Sequence, residues 1–310
     1  MSSAVTKSPR TGSAAHGAAA RRRRRRVTLI GWSFILPNFL GFAALTLVPI
    51  IGAFAISFTD WDSYSSPNWV GFANFRRMWD DDNFWAALQN TCYYAAGHIP
   101  LTLGASLGLA VLLNQKLRGV RILRTAFFFP YVTSLVAVAV VWNMLLSPET
   151  GPVNQFLHSI GIAHPPGWTS SQDWAMPALI MTSVWRDMGY YMVLFLAGLQ
   201  TVPAELYEAA RVDGAGPWKR FWHVTLPCLR PTTFFVLVML TVSSFKIFDL
   251  VQVMTEGGPG RSTLVLSQLI FREGITQGRF GYSSAVSLAL FLICLVVTAV
   301  QFQWQRRSER

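Results

Sequence analysis

Six stretches of this chain are apolar over about twenty residues or more: 29–56, 87–113, 125–146, 174–199, 232–254 and 282–302. The hydrocarbon core of a bilayer takes about 20 helical residues to cross. Lipid offers backbone amides no partner, so each such segment must satisfy its own hydrogen bonds and is expected to be a helix. The expected fold class is therefore all-α, a polytopic membrane protein with six transmembrane helices. Composition agrees. Only 13% of the residues are charged, against about 25% for a soluble domain. Pro37 and Pro49 fall inside the first segment.

The net charge of +11 admits a nucleic-acid partner. Its distribution follows topology instead. The N-terminal tail, the connection with Lys116, Arg118, Arg121 and Arg124, the connection with Arg211, Lys219, Arg220 and Arg230, and the C-terminal Arg306, Arg307 and Arg310 hold 19 of the 26 basic residues. The alternate connections hold five, together with nine acids that include Asp80, Asp81 and Asp82. Excess Lys and Arg marks the cytoplasmic side. Both termini and the connection 201–231 are expected inside, in an inner or plasma membrane, with lipid as a partner and no nucleic acid. Residues 1–27 read as a disordered basic tail. Arg21 to Arg26 run straight into the first apolar segment, which is too long for a signal peptide. This run fits an anchor against anionic headgroups better than a nucleic-acid arm. Residues 28–305 form the membrane domain and 306–310 a second short tail.

The outer connections are less specific. Residues 57–85 carry Trp61, Tyr64, Trp69, Phe72, Phe75, Trp79 and Trp85, rings suited to a membrane–water interface or to docking a partner. Residues 147–173, with four prolines, read as an irregular loop with a short re-entrant turn. Thr255 to Gly260 reads as a flexible turn. Cys92, Cys228 and Cys294 show no metal or redox spacing and are expected to be inert and buried.

The longest polar interruption in the second half runs from Thr201 to Pro227. It predicts two short helices around a break. Pro203 suits a first helical turn, and Leu206, Ala209 and Ala210 then recur at helical spacing. Asp213-Gly214-Ala215-Gly216-Pro217 stops that helix. Gly214 takes φ > 0 without steric cost, so a bulky residue there is expected to misdirect the second helix. In that second helix Trp218, Phe221 and Trp222 share one face and Lys219 and Arg220 another, with Pro227 and Pro231 closing it.

Glu208-Ala209-Ala210, Gly214 four residues on, and Leu226-Pro227 resemble the EAA loop of permeases from ATP-binding-cassette importers. Three further stretches resemble the carbohydrate-uptake branch of that family, of the maltose, lactose and glycerol-phosphate type: Phe127-Phe128-Phe129-Pro130, Ala197 to Gln200, and Phe245 to Asp249 followed by Gly257-Gly258-Pro259. The resemblance covers 28–305 in the compact six-helix form. It implies a permease subunit that works with a second homologous permease, two ATPase subunits and an extracytoplasmic sugar-binding protein. It also implies that Glu205, Glu208, Ala209, Ala210, Asp213, Gly214, Leu226 and Pro227 meet the ATPase, which binds ATP and Mg while this chain binds no cofactor.

The residues themselves supply no catalytic alternative. There is no Gly-Lys dipeptide and hence no phosphate loop, and no His-Glu-x-x-His; Gly104-Ala105-Ser106-Leu107-Gly108 matches Gly-x-Ser-x-Gly, but it lies inside an apolar run of helical length and not at a strand-to-helix turn. A membrane-embedded enzyme would need such a group, and a passive channel or ion-coupled carrier leaves the central loop unexplained. Charges inside apolar segments are the informative residues. One at the bilayer centre costs at least about 2.5–3.5 kcal/mol, so it pairs or lines a wet cavity. Arg186 and Asp187, with Tyr190 and Tyr191 one turn later, read either as substrate path or as a structural ion pair. Phe245, Lys246 and Asp249 read either as path or as a helix end with a snorkelling lysine. The expected function is the permease of a sugar importer, with a non-sugar solute such as glycerol-3-phosphate as the alternative.

Overall fold

A computed structural model describes residues 27–28, 30–115 and 118–308. The basic tail through Arg26, Leu29 at the start of the first segment, Lys116 and Arg310 lie outside the described residues. The described chain falls into two compact units, divided between Ala55 and Ile56.

The first unit is the helix α1, Ile30–Ile56, up to its last residue. A π turn interrupts it at Ala43–Leu47, where the Val48 N–H reaches back to the Ala43 carbonyl. Pro49 comes next and brings no N–H, so the i→i−4 ladder cannot continue unbroken there.

The second unit is also helical. Its elements are α2 (Ala73–Trp79), α3 (Asp82–Leu113), α4 (Val120–Val132), α5 (Leu135–Leu145), α6 (Pro152–Ser159), α7 (Ala175–Gln200), α8 (Ala204–Val212), α9 (Pro217–Cys228), α10 (Arg230–Phe245), α11 (Asp249–Met254), α12 (Leu266–Phe271) and α13 (Phe280–Ser308). The hairpin loop 147–173 contains α6 and a 3-10 turn at Trp168–Ser170.

Length and composition qualify α1, α3 and α13 as membrane crossings. The pairs α4–α5 and α9–α10 qualify only if each is one broken span, because they bend by 98° and 68°. Thus the third apolar run is not one straight helix. Thr133 and Ser134 adopt extended ψ values of 157° and 125° between α4 and α5. The Thr133 hydroxyl donates to the Pro130 carbonyl at 2.7 Å, an alternative to helical continuation that Ser and Thr offer the backbone. The fifth run breaks as well. The hydroxyls of Ser243 and Ser244 both donate to the Leu240 carbonyl, at 3.0 and 2.7 Å. α10 then tightens through Lys246 N–H to Ser243 O and ends. The central hairpin differs from expectation in two details. Pro203 is the N-cap of α8 rather than its first turn, and Pro227 lies inside α9 rather than closing it. The missing N–H of Pro227 comes just after a π turn at Phe221–Thr225, the same accommodation as in α1. Arg306 and Arg307 fall in the last turn of α13, where cations are favourable beside the helix's free carbonyls.

α7 is the centre of the second unit. It packs against α3, α4, α10 and α11. Its 26 residues span about 39 Å, yet Arg186, Asp187, Tyr190 and Tyr191 keep it below the apolar content of a simple lipid-facing span. Met192, Phe195, Leu196 and Leu199 join Leu113 of α3 and Leu240 of α10 in one fully buried cluster. Gly189 permits the α4–α7 crossing: a Cβ there would run into the backbone carbonyl of Phe127 and lie 3.0 Å from Phe128 Cα. Toward the other end, Asp81 caps α3 by accepting from Asn83 N–H at 2.9 Å. Its second oxygen takes the Tyr282 hydroxyl at 2.6 Å, fixing α13 beside α3.

The aromatic connection before α3 folds on itself. Phe58 stacks on Trp69 at 5.4 Å and meets Phe72 and Phe75. Trp85 sits edge-on to Trp79 and donates to its carbonyl. Two cysteines depart from expectation: Cys92 and Cys228 are exposed and Cys294 is partly so. They occupy outward faces of α3, α9 and α13, where an apolar neighbourhood in sequence does not imply burial within the chain.

Candidate functional site

Two groups of sequence-selected residues occupy distinct places. The first is the hairpin α8–α9. Glu205, Leu206, Glu208, Ala209 and Val212 are exposed, and Ala210 is half-buried. Residues 205, 208, 209 and 212 have the i, i+3, i+4, i+7 spacing of a single helical face. The hairpin is pinned from within. The Tyr207 hydroxyl lies 3.0 Å from that of Thr225 on α9, and Thr225 is buried.

The end of α8 explains its sequence. Asp213 is the C-cap, its N–H bonded to the Ala209 carbonyl. Gly214 comes next, at φ +73°. Its N–H bonds Arg211 O at 3.1 Å and the Ala215 N–H bonds Ala210 O at 2.8 Å. These are the 5→2 and 6→1 bonds of a Schellman motif, which calls for a left-handed residue at this position. A Cβ on Gly214 would meet nothing within 4 Å. The position therefore rejects side chains through its φ and not through crowding by other parts of the chain. Trp218, Phe221 and Trp222 do share a cluster, with ring centroids 5.6–6.2 Å apart, and Trp218 is exposed. Leu226 and Pro227 are half-buried in α9 and stand apart from the exposed face of α8.

The second group lines a cavity of about 180 Å³ between α3, α7 and the broken end of α10. Arg186, Asp187, Lys246 and Asp249 all border it, with Tyr94, His98, Ser183 and Ser243. The break between α10 and α11 puts Lys246 and Asp249 here rather than along a continuous span. Arg186 and Asp187 pair with each other at 2.7 Å, although they are neighbours in one helix. The second Asp187 oxygen is 3.3 Å from His98 Nε2. His98 Nδ1 is in turn 2.9 Å from the Ser244 hydroxyl on α10. The Arg186 guanidinium lies over the Tyr131 ring at 5.0 Å, and Tyr131 stacks on Tyr190 at 4.3 Å. One polar chain thus links α10, α3, α7 and α4. Its charges are turned into the protein, which is how α7 carries them at membrane depth.

The remaining selected residues lie off the cavity wall. Tyr190 backs Tyr131, and the Tyr191 hydroxyl reaches toward Ser243 at 3.5 Å. Phe245 is buried in an apolar cluster with Phe84, Leu264 and Leu269. The Ser243 and Ser244 turn directs it away from the opening. His98 has no metal-type spacing around it and does not stand out in the sequence on that criterion. Its signal is that of Arg186, a titratable side chain inside an apolar run. Among the described residues no cluster of three or more His, Cys, Asp or Glu is placed to hold a metal.

Residues 101–310 match the protein family described as "Binding-protein-dependent transport system inner membrane component". The chain is 36% identical over 297 residues to the probable ABC transporter permease protein YesP of Bacillus subtilis (strain 168), covering 94% of this chain and 96% of that one. It is 35% identical over 288 residues to the lactose transport system permease protein LacF of Rhizobium radiobacter, covering 90% and 95%. Among solved structures, a chain of a bacterial ABC transporter involved in the import of the acidic polysaccharide alginate superposes with a TM-score of 0.82 at 25% identity, over 93% of this chain and 99% of that one.

Proposed function

Since the chain belongs to the binding-protein-dependent inner-membrane transport components, a family of multi-pass permeases, we propose that it is the permease subunit of an ATP-binding-cassette sugar importer. It is a transport component and not a catalytic subunit. In this reading it crosses the membrane six times with both termini in the cytoplasm, α4–α5 serving as one bent crossing, α7 as the inward-facing fourth and α10 with α11 as the broken fifth. A second homologous permease completes the path. Two ATPase subunits bind ATP and Mg below it, and an extracytoplasmic binding protein delivers the solute. Carbohydrate as the solute is supported by what the relatives carry by name, lactose for LacF and alginate for the structural neighbour.

The observation that carries the reading is the hairpin. α8 presents an exposed face of Glu205, Glu208, Ala209 and Val212, small enough to enter a groove. The Schellman turn at Gly214 and the Tyr207–Thr225 bond hold it at a fixed angle to α9. α9 runs into α10 through a single residue, Leu229, so a push on α8 reaches the helix that ends at the cavity. ATP-driven closure of the ATPases would move α8 and switch the cavity between outward and inward access, which requires the solute to bind the two states unequally. The test is disulfide or bismaleimide crosslinking of Ala209→Cys in membranes of a strain expressing the whole transporter. The expected product joins this chain to an ATPase subunit, with a yield that changes on adding ATP. Absence of that product, with Ser308→Cys behaving the same as Ala209→Cys, refutes the assignment.

A further inference from the structure

The charges around the cavity are already compensated, and this narrows what can pass. Arg186 is spent on Asp187 at 2.7 Å, with its face against Tyr131. Asp187 is spent on Arg186 and, at 3.3 Å, on His98. Lys246 and Asp249 are exposed on the same wall, three residues apart, and neither is in an ion pair within 4.0 Å among the described residues. They present one ammonium and one carboxylate to an entering solute. Two cations and two carboxylates sum to zero, so an anionic solute gains from Lys246 what it loses to Asp249. Hydroxyls suit this wall better, because each can donate to a carboxylate and accept from an ammonium. Ser183 and Ser243 add further hydroxyl partners.

Resting on the permease reading above, we infer that the part of the path lined by this chain is electroneutral and selects an uncharged polyhydroxylated solute over uronate or phosphorylated ones. Lys246 and Asp249 are its specificity-determining pair. Converting one of them shifts the sign of the path, and loss of Asp249 turns it toward anions.

The test measures the charge preference of the cavity without needing the solute. Ser243→Cys, nearly isosteric and on the cavity wall, is introduced into the assembled transporter, in which Cys92, Cys228, Cys294 and the reactive cysteines of the other subunits are replaced. Its rate of modification is measured with a cationic and an anionic methanethiosulfonate of similar size, each divided by that reagent's rate with free 2-mercaptoethanol. The two normalised rates should agree within about threefold. Asp249→Asn should then favour the anionic reagent and Lys246→Gln the cationic one, each by roughly three- to tenfold, the effect of one partly screened charge at close range. A wild-type preference above tenfold for the anionic reagent overturns the inference while leaving the permease reading intact. Failure of Ser243→Cys to react with either reagent, with and without ATP, overturns both, since the cavity is then no path.

Discussion

Replacing Gly214 tests the hairpin through a cost that the geometry isolates. At φ +73° an L-residue brings its Cβ too near the following carbonyl, a penalty of about 1–2 kcal/mol. Beyond the glycine itself and its chain neighbours, no heavy atom stands within 4 Å of the position a Cβ would occupy, so no packing term adds to it. Both Schellman bonds are made by backbone N–H groups, of Gly214 and Ala215, and survive any substitution that tolerates the turn. Gly214→Ala should therefore reduce the population of the correctly angled hairpin by a factor of about 5–30, the equivalent of 1–2 kcal/mol. Gly214→Asn, whose short polar side chain visits the left-handed region more readily, should cost less. Gly214→Val, β-branched, should cost most. Gly214→Asp should fall near Asn in backbone cost and lose further capture only through its added carboxylate. The assay is ATPase-subunit affinity for the purified permease complex in nanodiscs, alongside the amount of permease inserted in the membrane. Affinity should fall in the order Gly, Asn, Ala, Val while insertion stays level. Equal loss for Asn and Val, or an unaffected Ala variant, would refute the conformational argument.

Three further outcomes are expected. A reporter active only in the cytoplasm should be active when fused after Arg118, Gly214 or Arg306 and silent after Asp81, Pro166 or Gly258; two reversals would sink the six-crossing topology. Glu208→Ala should weaken ATPase capture more mildly than Gly214→Val, by about fivefold or less, since an exposed carboxylate contributes roughly 0–1 kcal/mol; a loss as large as that of Gly214→Val would show that charge rather than placement governs docking. Gly189→Ala should force α4 off α7 at the Phe127 carbonyl and cost about 1–3 kcal/mol, read as lowered thermal stability of the detergent-purified complex; unchanged stability would mean that the two helices can separate there without loss.

The features legible in the sequence and the features hidden in it have the same physical origin. Apolar runs reveal only the free energy of leaving water, so they locate α1, α3 and α13 and place the third and fifth runs correctly in sequence. They are silent on direction. The bend after Pro130 rests on one hydroxyl bond from Thr133, and the bend at Lys246 on two from Ser243 and Ser244 to Leu240. Small polar residues in an apolar run carry little weight in a hydropathy average but decide where the chain turns. The hairpin is legible because its signals are local: an αL glycine after a helix, a proline beyond it, an aromatic face. The cavity is half legible. Arg186, Asp187, Lys246 and Asp249 advertise themselves by their cost in a membrane, and the structure brings all four to one wall. His98 carries a similar cost, but its partners are 89 and 146 residues away in sequence. Phe245 is drawn in by its adjacency to Lys246 along the chain, whereas the tightened last turn of α10 sends it into the apolar cluster. The same break that hides Phe245 presents Lys246 and Asp249 together. A continuous helix would have set them three positions apart, at a rise of about 4.5 Å, with both side chains along one seam. The interruption instead makes them two termini facing one opening, the arrangement on which the charge balance of the path depends.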